Sequence, residues 1–250
     1  MLRYVLVVAL ALCHIGISAG TGFDATLHTA TPPATNNWHG REEKLAGVDV
    51  YVSGSPTASK AVLMISDIYG WKAPLFRKLA DTVASAGFYV VAPDYFNGDA
   101  LTDIADLPQW LPRHPPAGSV ELTYTFVKAL KESGMHSVGI VGFCWGAKVT
   151  ALSGKKKHVN AIVQCHPSLT EASDYQEMAV PFSVLAAPTD GIGELKDVFK
   201  MKRKQVRLYV KIFTQVRHGW TVRYDETDKQ AVKKARKAHM LVIKWLRKHL

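Results

Sequence analysis

The chain has 250 residues, of which 31 are basic and 21 acidic, so its formal net charge is +10. Hydrophobic residues make up 48% of it, which is typical of a globular protein whose core is large enough to fold without disulfides. The three cysteines are too few for a disulfide framework. The length suits one domain of ordinary size, although two small domains would also fit it.

Residues 1–20, MLRYVLVVALALCHIGISAG, have the three-part pattern of a secretory signal. Arg3 precedes an apolar run, and small residues at Ala19 and Gly20 mark the expected cleavage site. The apolar run is shorter than the roughly 20 residues that a membrane-spanning helix needs, so we do not expect a stable membrane span. The sequence therefore predicts a secreted, extracellular protein.

The elements that follow alternate along the chain. Residues 21–46 are Thr-, Pro- and Asn-rich without periodicity and predict an extended arm, whereas 47–250 form the predicted domain. Residues 48–54 alternate like an edge strand, and short apolar runs predict further strands at 60–66, 88–94, 136–143, 159–166, 181–187 and 207–213. Amphipathic segments predict helices at 73–87, 119–134, 145–153, 192–204 and 228–249. This alternation indicates an α/β fold, a mostly parallel sheet with helices on both faces.

One strand-to-helix junction has the pattern of a nucleophile elbow. Gly142-Phe143-Cys144-Trp145-Gly146 follows a β-branched apolar run and precedes a helix-compatible stretch. In the G-x-S-x-G elbow of α/β-hydrolases the two glycines let strand and helix approach each other closely. Here Cys144 takes the place of the serine, and a helix N-terminus favours a thiolate. The alternative is a buried structural cysteine.

A nucleophile needs a base, and the base needs a group to orient it. The elbow fold places them in the order nucleophile, acid, histidine, each after a strand. Asp190 and His218 meet that order, although each also suits an ordinary turn or loop. His166 comes too early for the role, and we expect His239 and His249 at the surface of the last helix.

Other partners are not indicated. Among Cys144, Cys165, His166 and His218 only the adjacent pair 165–166 is closely spaced, and that is not zinc-like spacing, so we expect neither a metal nor a cofactor. The long excursion at 95–117, with four prolines, is predicted to cap a site. Basic residues cluster at 154–158, at 200–207 and in the last twenty positions, where a solvated surface is favoured over a binding patch. We expect no nucleic-acid partner and a monomer.

With these residues in place, the sequence resembles the dienelactone hydrolase family of α/β-hydrolases, from about residue 45 to 250. The secreted arm and VYVSGSP are most similar to the plant-type branch, some members of which are described as β-glucanases. The motifs on which the resemblance depends are ISDIYGW (65–71), FYVVAPDYFNGD (88–99), VGFCWGAK (141–148), HPS (166–168), APTD (187–190) and HGWTVRY (218–224).

The resemblance implies roles for individual residues. Cys144 would be the nucleophile, His218 the base and acid, and Asp190 its orienter. The backbone N–H groups of Trp145 and Ile68 would form the oxyanion hole.

The resemblance also implies a set of modulating and pocket residues. In bacterial members a glutamate after the corresponding strand contacts the resting thiol, and here Asp67, one methylene shorter, stands there. Arg223 corresponds to an arginine that holds a substrate carboxylate. Trp71, Tyr95 and Trp220 are expected to line the pocket, with core packing as an equal alternative.

The leading functional hypothesis is a cysteine-dependent hydrolase of small esters or lactones. One alternative is a glycosidase acting on β-glucan, which needs two carboxylates across a cleft, with Asp67 and Asp190 as candidates. The other is a non-catalytic module that binds acidic polymers through its basic surface.

Overall fold

A computed structural model describes residues 38–250 as one eight-stranded sheet covered by helices. The predicted signal peptide, residues 1–20, and most of the predicted arm lie outside the described residues. The strand order is β1-β2-β4-β3-β5-β6-β7-β8. All neighbouring strands from β4 to β8 are parallel, and the first two strands join antiparallel at one edge. This is the mostly parallel α/β arrangement that the alternating pattern predicted, and it agrees with the α/β-hydrolase fold that the family resemblance implied.

The strands are β1 Arg41–Leu45, β2 Val48–Ser53, β3 Lys60–Ile65, β4 Tyr89–Pro93, β5 Ser137–Phe143, β6 Ala161–Cys165, β7 Phe182–Ala186 and β8 Leu208–Ile212. The α-helices are α1 Pro74–Ala84, α2 Leu107–Trp110, α3 Val120–Glu132, α4 Trp145–Ser153, α5 Ala172–Glu177, α6 Lys196–Lys202 and α7 Lys229–His249. Every strand predicted from apolar runs is present within a few residues of its expected bounds.

Three segments differ from expectation. Arg41–Leu45 was predicted to belong to the extended arm, but it pairs with β2 as an edge strand. Four of its five residues are charged, so its sequence does not have the apolar pattern of a strand. The helix expected at 192–204 begins with a 3-10 turn, and its α-helical part is only α6. Helix α5 lies where no helix was predicted, although Glu171 and Asp174 form a capping box that marks its start.

Two apolar clusters cover the two faces of the sheet. Helices α1 and α7 pack on one face through side chains such as Phe76, Val83 and Val242. Helices α3, α4 and α6 contribute Phe126, Val149 and Phe199 to the cluster on the other face. Because both faces are covered, β5 is buried at every position, which explains its continuous apolar sequence. Within residues 38–250 no helix is both long and apolar enough to cross a membrane.

The sheet order determines where the functional candidates meet. Strands β3, β5, β6, β7 and β8 are consecutive neighbours and parallel, so their carboxyl ends lie along one edge. The loops that follow these strands contain the residues singled out from the sequence. Ligands of open α/β sheets bind at this edge.

Candidate active site

Cys144 lies in the tight turn between β5 and α4, and its backbone has a conformation that is unusual for a residue with a side chain. Its φ is 51° and its ψ is −111°, and a positive φ is strained for any residue other than glycine. The flanking glycines explain how the turn fits. A Cβ on Gly142 would lie 2.3 Å from the carbonyl oxygen of Gly146, and one on Gly146 would lie 2.3 Å from that of Ile65. The motif therefore has the close strand–helix approach of a nucleophile elbow.

Asp190 and His218 form the hydrogen-bonded pair that the sequence order suggested. Nδ1 of His218 lies 2.8 Å from Oδ1 of Asp190, and both side chains are buried. The second carboxylate oxygen of Asp190 accepts a hydrogen bond from the N–H of Ala187 at 2.6 Å. These bonds hold the imidazole with Nδ1 towards the carboxylate and leave Nε2 for other contacts. Within residues 38–250 Nε2 has no hydrogen-bond partner of regular geometry.

The Cys144 sulfur and the His218 ring shift each other's protonation. Burial alone would raise the pKa of the Cys144 thiol, but His218, and Arg223 more weakly, outweigh it, and the net pKa is lowered. Burial alone would lower the pKa of His218, but Cys144 and the hydrogen bond to Asp190 raise it to about 9. Both shifts favour a thiolate–imidazolium pair.

The two N–H groups expected to form an oxyanion hole belong to Ile68, in the turn after β3, and Trp145, the first residue of α4. Neither N–H donates to an acceptor within the described part of the chain. The excursion at 95–117 anchors both residues. The N–H of Leu101 donates to the carbonyl of Ile68 at 2.8 Å, and the indole Nε1 of Trp145 donates to the carbonyl of His114 at 2.8 Å. Fixed, unpaired donors of this kind suit a developing oxyanion.

Asp67 is paired with Arg223 rather than with the thiol. One carboxylate oxygen accepts a hydrogen bond from the guanidinium of Arg223, and the other accepts one from the N–H of Tyr69 at 3.0 Å. The guanidinium also lies 5.1 Å from the centroid of the Tyr69 ring. Arg223, which the family resemblance assigned to binding a substrate carboxylate, therefore already has the buried carboxylate of Asp67 as its counter-ion.

The three aromatic residues offered as pocket lining lie in the core. Trp71 packs against the guanidinium of Arg77, 4.7 Å from its ring centroid. Tyr95 bonds to the hydroxyl of Thr123 at 2.9 Å in the opposite cluster. Trp220 packs on Phe213 with ring centroids 4.5 Å apart. Each is less than 9% exposed, but Cys144 is itself only 2% exposed, so burial does not separate pocket lining from core packing.

Ser168 and His166 reach the site without having been singled out for a role. The hydroxyl of Ser168 lies 3.3 Å from the Cys144 sulfur. The His166 ring stacks edge-on to His218 with centroids 5.1 Å apart. Burial holds the pKa of His166 well below its usual value, with the charge of His218 adding to the effect. The HPS segment directly follows β6, the strand next to the elbow strand β5, and this placement was the sequence feature that could have predicted their position at the site.

A polar network ties His166 to the last helix. Its Nε2 lies 2.8 Å from the hydroxyl of Thr221, whose carbonyl oxygen lies 2.8 Å from Nε2 of His239. His239 is therefore buried, contrary to the expectation that it lies at the surface, because the helix face it occupies packs on this loop. His249 is half-buried at the end of the same helix.

The remaining cysteine and the basic residues have structural surroundings. Cys144 and Cys165 are both buried and not bonded to each other, and burial raises the pKa of Cys165 to about 12. Among residues 38–250 no group of three or more histidine, cysteine or acidic side chains is arranged to hold a metal. One lysine of the basic segment at 200–207, Lys202, is buried and donates to the carbonyl of Gln176 at 2.7 Å, so that segment is not uniformly a charged surface.

Comparison with known proteins gives one matching family and similar proteins with two different named activities. The sequence profile of the dienelactone hydrolase family matches residues 48–250. A carboxymethylenebutenolidase homolog of Homo sapiens is 31% identical over 227 residues, 84% of this chain and 91% of that protein. An endo-1,3;1,4-beta-D-glucanase of Zea mays is 35% identical over 195 residues, 74% of this chain but only 64% of the maize protein.

Solved structures agree at the level of the fold. A dienelactone hydrolase from Anabaena variabilis superposes with a TM-score of 0.61, covering 85% of this chain and 99% of that one, at 13% sequence identity. The mostly parallel sheet, the turn at Cys144 and the profile match over most of the chain lead to one conclusion: the protein belongs to the dienelactone hydrolase family.

Proposed function

We propose that this member of the family is a cysteine hydrolase of small esters or lactones that works through an acyl-thioester on Cys144. The observation on which the proposal depends is the buried group formed by Cys144, His218 and Asp190. It combines a nucleophile on an elbow, an oriented imidazole and two unpaired N–H groups, those of Trp145, next to Cys144 in the chain, and of Ile68, after the neighbouring strand. Nucleophilic acyl transfer needs these three parts.

In the acylation step the Cys144 thiolate attacks the carbonyl carbon and forms the C–S bond. The carbonyl oxygen takes up the negative charge and binds the N–H groups of Ile68 and Trp145. As the intermediate collapses, the C–O bond to the alcohol breaks, and Nε2 of His218 gives its proton to the departing oxygen. In a lactone the alcohol stays attached to the acyl group.

In the deacylation step Nε2 of the now neutral His218 accepts a proton from water, which attacks the thioester carbonyl. The C–S bond breaks, the acid product leaves, and the thiolate–imidazolium pair is restored. Asp190 keeps its hydrogen bond to Nδ1 throughout, so that Nε2 faces the reacting atoms in both steps.

The test compares substitutions of the two buried cysteines. Cys144→Ala is expected to remove p-nitrophenyl ester turnover, whereas Cys165→Ala keeps most of it because that thiol touches no reacting atom. Mass spectrometry of the wild-type enzyme mixed with the ester should detect an acyl group on Cys144. Full turnover in Cys144→Ala would sink the proposal.

A second candidate, β-glucan hydrolysis, comes from the similarity to the maize glucanase. That chemistry needs an acid and a base or nucleophile, both carboxyl groups, some 5–9.5 Å apart. Asp190 is occupied by His218 and Asp67 by Arg223, which weighs against this reading. Release of reducing sugar from mixed-linkage β-glucan by wild type and Cys144→Ala alike would favour the glucanase over the esterase.

We further propose that residues 1–20 direct export and that the mature protein acts as a monomer. The support for export is the pattern of Arg3, the apolar run and the small residues at the expected cleavage site. N-terminal sequencing of protein made in a secreting host, and light scattering of the product, test the two statements. An intact N-terminus in the secreted fraction would contradict cleavage.

A further inference from the structure

Building on the proposed function, we propose that Ser168 is a positioning residue that donates a hydrogen bond to the Cys144 thiolate and holds the sulfur in the resting enzyme. The role would belong to the HPS segment after β6, which the triad itself does not use. Ser168 acts on the nucleophile rather than on substrate.

The distance between the two side chains is the first observation. Oγ of Ser168 lies 3.3 Å from Sγ of Cys144, which is within hydrogen-bond range for sulfur. Both residues are nearly inaccessible, at 3% and 2% exposed. Within residues 38–250 the Ser168 hydroxyl has no other hydrogen-bond partner, so its proton has one acceptor to point at.

The direction of the bond follows from the charge of the sulfur. A thiolate has no proton to donate, so in the thiolate form the hydroxyl must be the donor. Hydrogen bonds to a charged acceptor are roughly twice as strong as neutral ones. The bond therefore favours the thiolate over the thiol.

The loop that positions Ser168 is fixed on both sides. The N–H of Ser168 lies 3.4 Å from the carbonyl oxygen of Cys144, and the N–H of His166 donates to Leu185 at 2.7 Å. His166 also bonds through its ring to Thr221 at 2.8 Å. A positive φ at His166 gives the loop a turn that these bonds hold in place.

The His218 ring also stabilises the Cys144 thiolate, first through its charge, whereas the Ser168 hydroxyl does so through a hydrogen bond of regular geometry. Both carboxylate oxygens of Asp67 are occupied, by Arg223 and by the N–H of Tyr69. Nε2 of His218 makes no hydrogen bond of regular geometry in the resting state. The sulfur therefore rests against Ser168 and is released from it when it bonds to a carbonyl carbon.

The experiment measures the thiolate directly, without a substrate. The ultraviolet absorbance of the Cys144 thiolate is titrated in wild type, Ser168→Ala and Ser183→Ala, and the trace of Cys144→Ala is subtracted from each. Ser183 is the matched control, because it is a buried serine on β7 whose hydroxyl has no partner among the described residues. Circular dichroism checks that each variant is folded.

We expect the Cys144 titration midpoint in Ser168→Ala to rise by about one pH unit, the effect of losing a charge-assisted hydrogen bond. Ser183→Ala should match wild type. Ester turnover by Ser168→Ala should fall about tenfold below the new midpoint and recover above it, which a purely structural defect would not do.

Two results would overturn the inference. One is a midpoint in Ser168→Ala that stays or falls, since the hydroxyl would then be absent from the bond or accepting in it. The other is an equal rise in Ser183→Ala, which would assign the effect to packing. If wild type has a thiolate and normal ester turnover but Ser168→Ala has the same midpoint, only this inference is rejected. If wild type shows no Cys144 thiolate at all, the proposed function is rejected too.

Discussion

Two buried carboxylates, Asp190 and Asp67, stand at opposite sides of the elbow and are used differently. Asp190 follows β7 and bonds to His218, and Asp67 follows β3 and bonds to Arg223. Each also accepts a backbone N–H, so both are held rigidly. The partner differs: an imidazole gains and loses a proton near neutral pH, and a guanidinium does not.

This difference separates proton transfer from fixed charge. The Asp190–His218 pair orients a group that exchanges a proton in each step of the proposed reaction. The Asp67–Arg223 pair keeps a charge of each sign beside the site, and the two have opposite effects on the Cys144 thiol: the arginine lowers its pKa and the aspartate raises it. Changing one pair should therefore alter the chemistry, and changing the other should alter stability and the pH range.

The largest effect is expected from making the same substitution in the two carboxylates. Asp190→Asn should lower kcat for ester hydrolysis by roughly 10³- to 10⁴-fold, because an amide no longer holds the imidazole in the required tautomer. Asp67→Asn should cost far less, since Asp67 touches no atom that moves a proton. Steady-state kinetics of the two folded variants decide this, and equal losses would refute the division of roles.

The stability of the second pair is the next test. Arg223→Met leaves the Asp67 carboxylate buried without its counter-ion and should lower the free energy of unfolding by about 3 kcal/mol. The double variant Asp67→Asn/Arg223→Met removes both charges and should recover much of that loss. Urea denaturation of the single and double variants measures the coupling, and strictly additive losses would mean that the pair contributes nothing as a pair.

The smallest effect is expected in the pH dependence of kcat/KM. The leaving alcohol needs a proton from His218, so activity should fall about tenfold per pH unit above about pH 9, the pKa of His218. On the acid side activity is lost where the Cys144 thiolate is protonated, below the usual thiol range because its pKa is lowered.

The two carboxylate variants should shift different limbs of that profile. Asp190→Asn removes a bond that raises the His218 pKa and should shift the alkaline limb to lower pH. Asp67→Asn removes a charge that raises the Cys144 pKa and should shift the acid limb to lower pH. Rate profiles of wild type and both variants test this, and a shift of the same limb in both would contradict it.

The sequence anticipated the elements better than the surroundings of the site. The apolar runs predicted each inner strand, because a strand covered on both faces is apolar at most of its positions. The edge strand Arg41–Leu45 escaped notice because four of its five residues are charged and their pairing partner, β2, was needed to recognise it. For Trp71, Tyr95 and Trp220, only the structure showed which side chains they pack against.

By itself, the sequence determined the fold class and the placement of Cys144, Asp190 and His218 after three of the parallel strands, β5, β7 and β8. Hydrophobic periodicity and the two glycines of the elbow are local properties, so a linear pattern is enough to recognise them. Tertiary structure alone decided that Asp67 bonds to Arg223, 156 residues away, and that Ser168 lies against the thiol. Such contacts depend on which strands become neighbours and how their loops turn, and spacing along the chain does not contain that information.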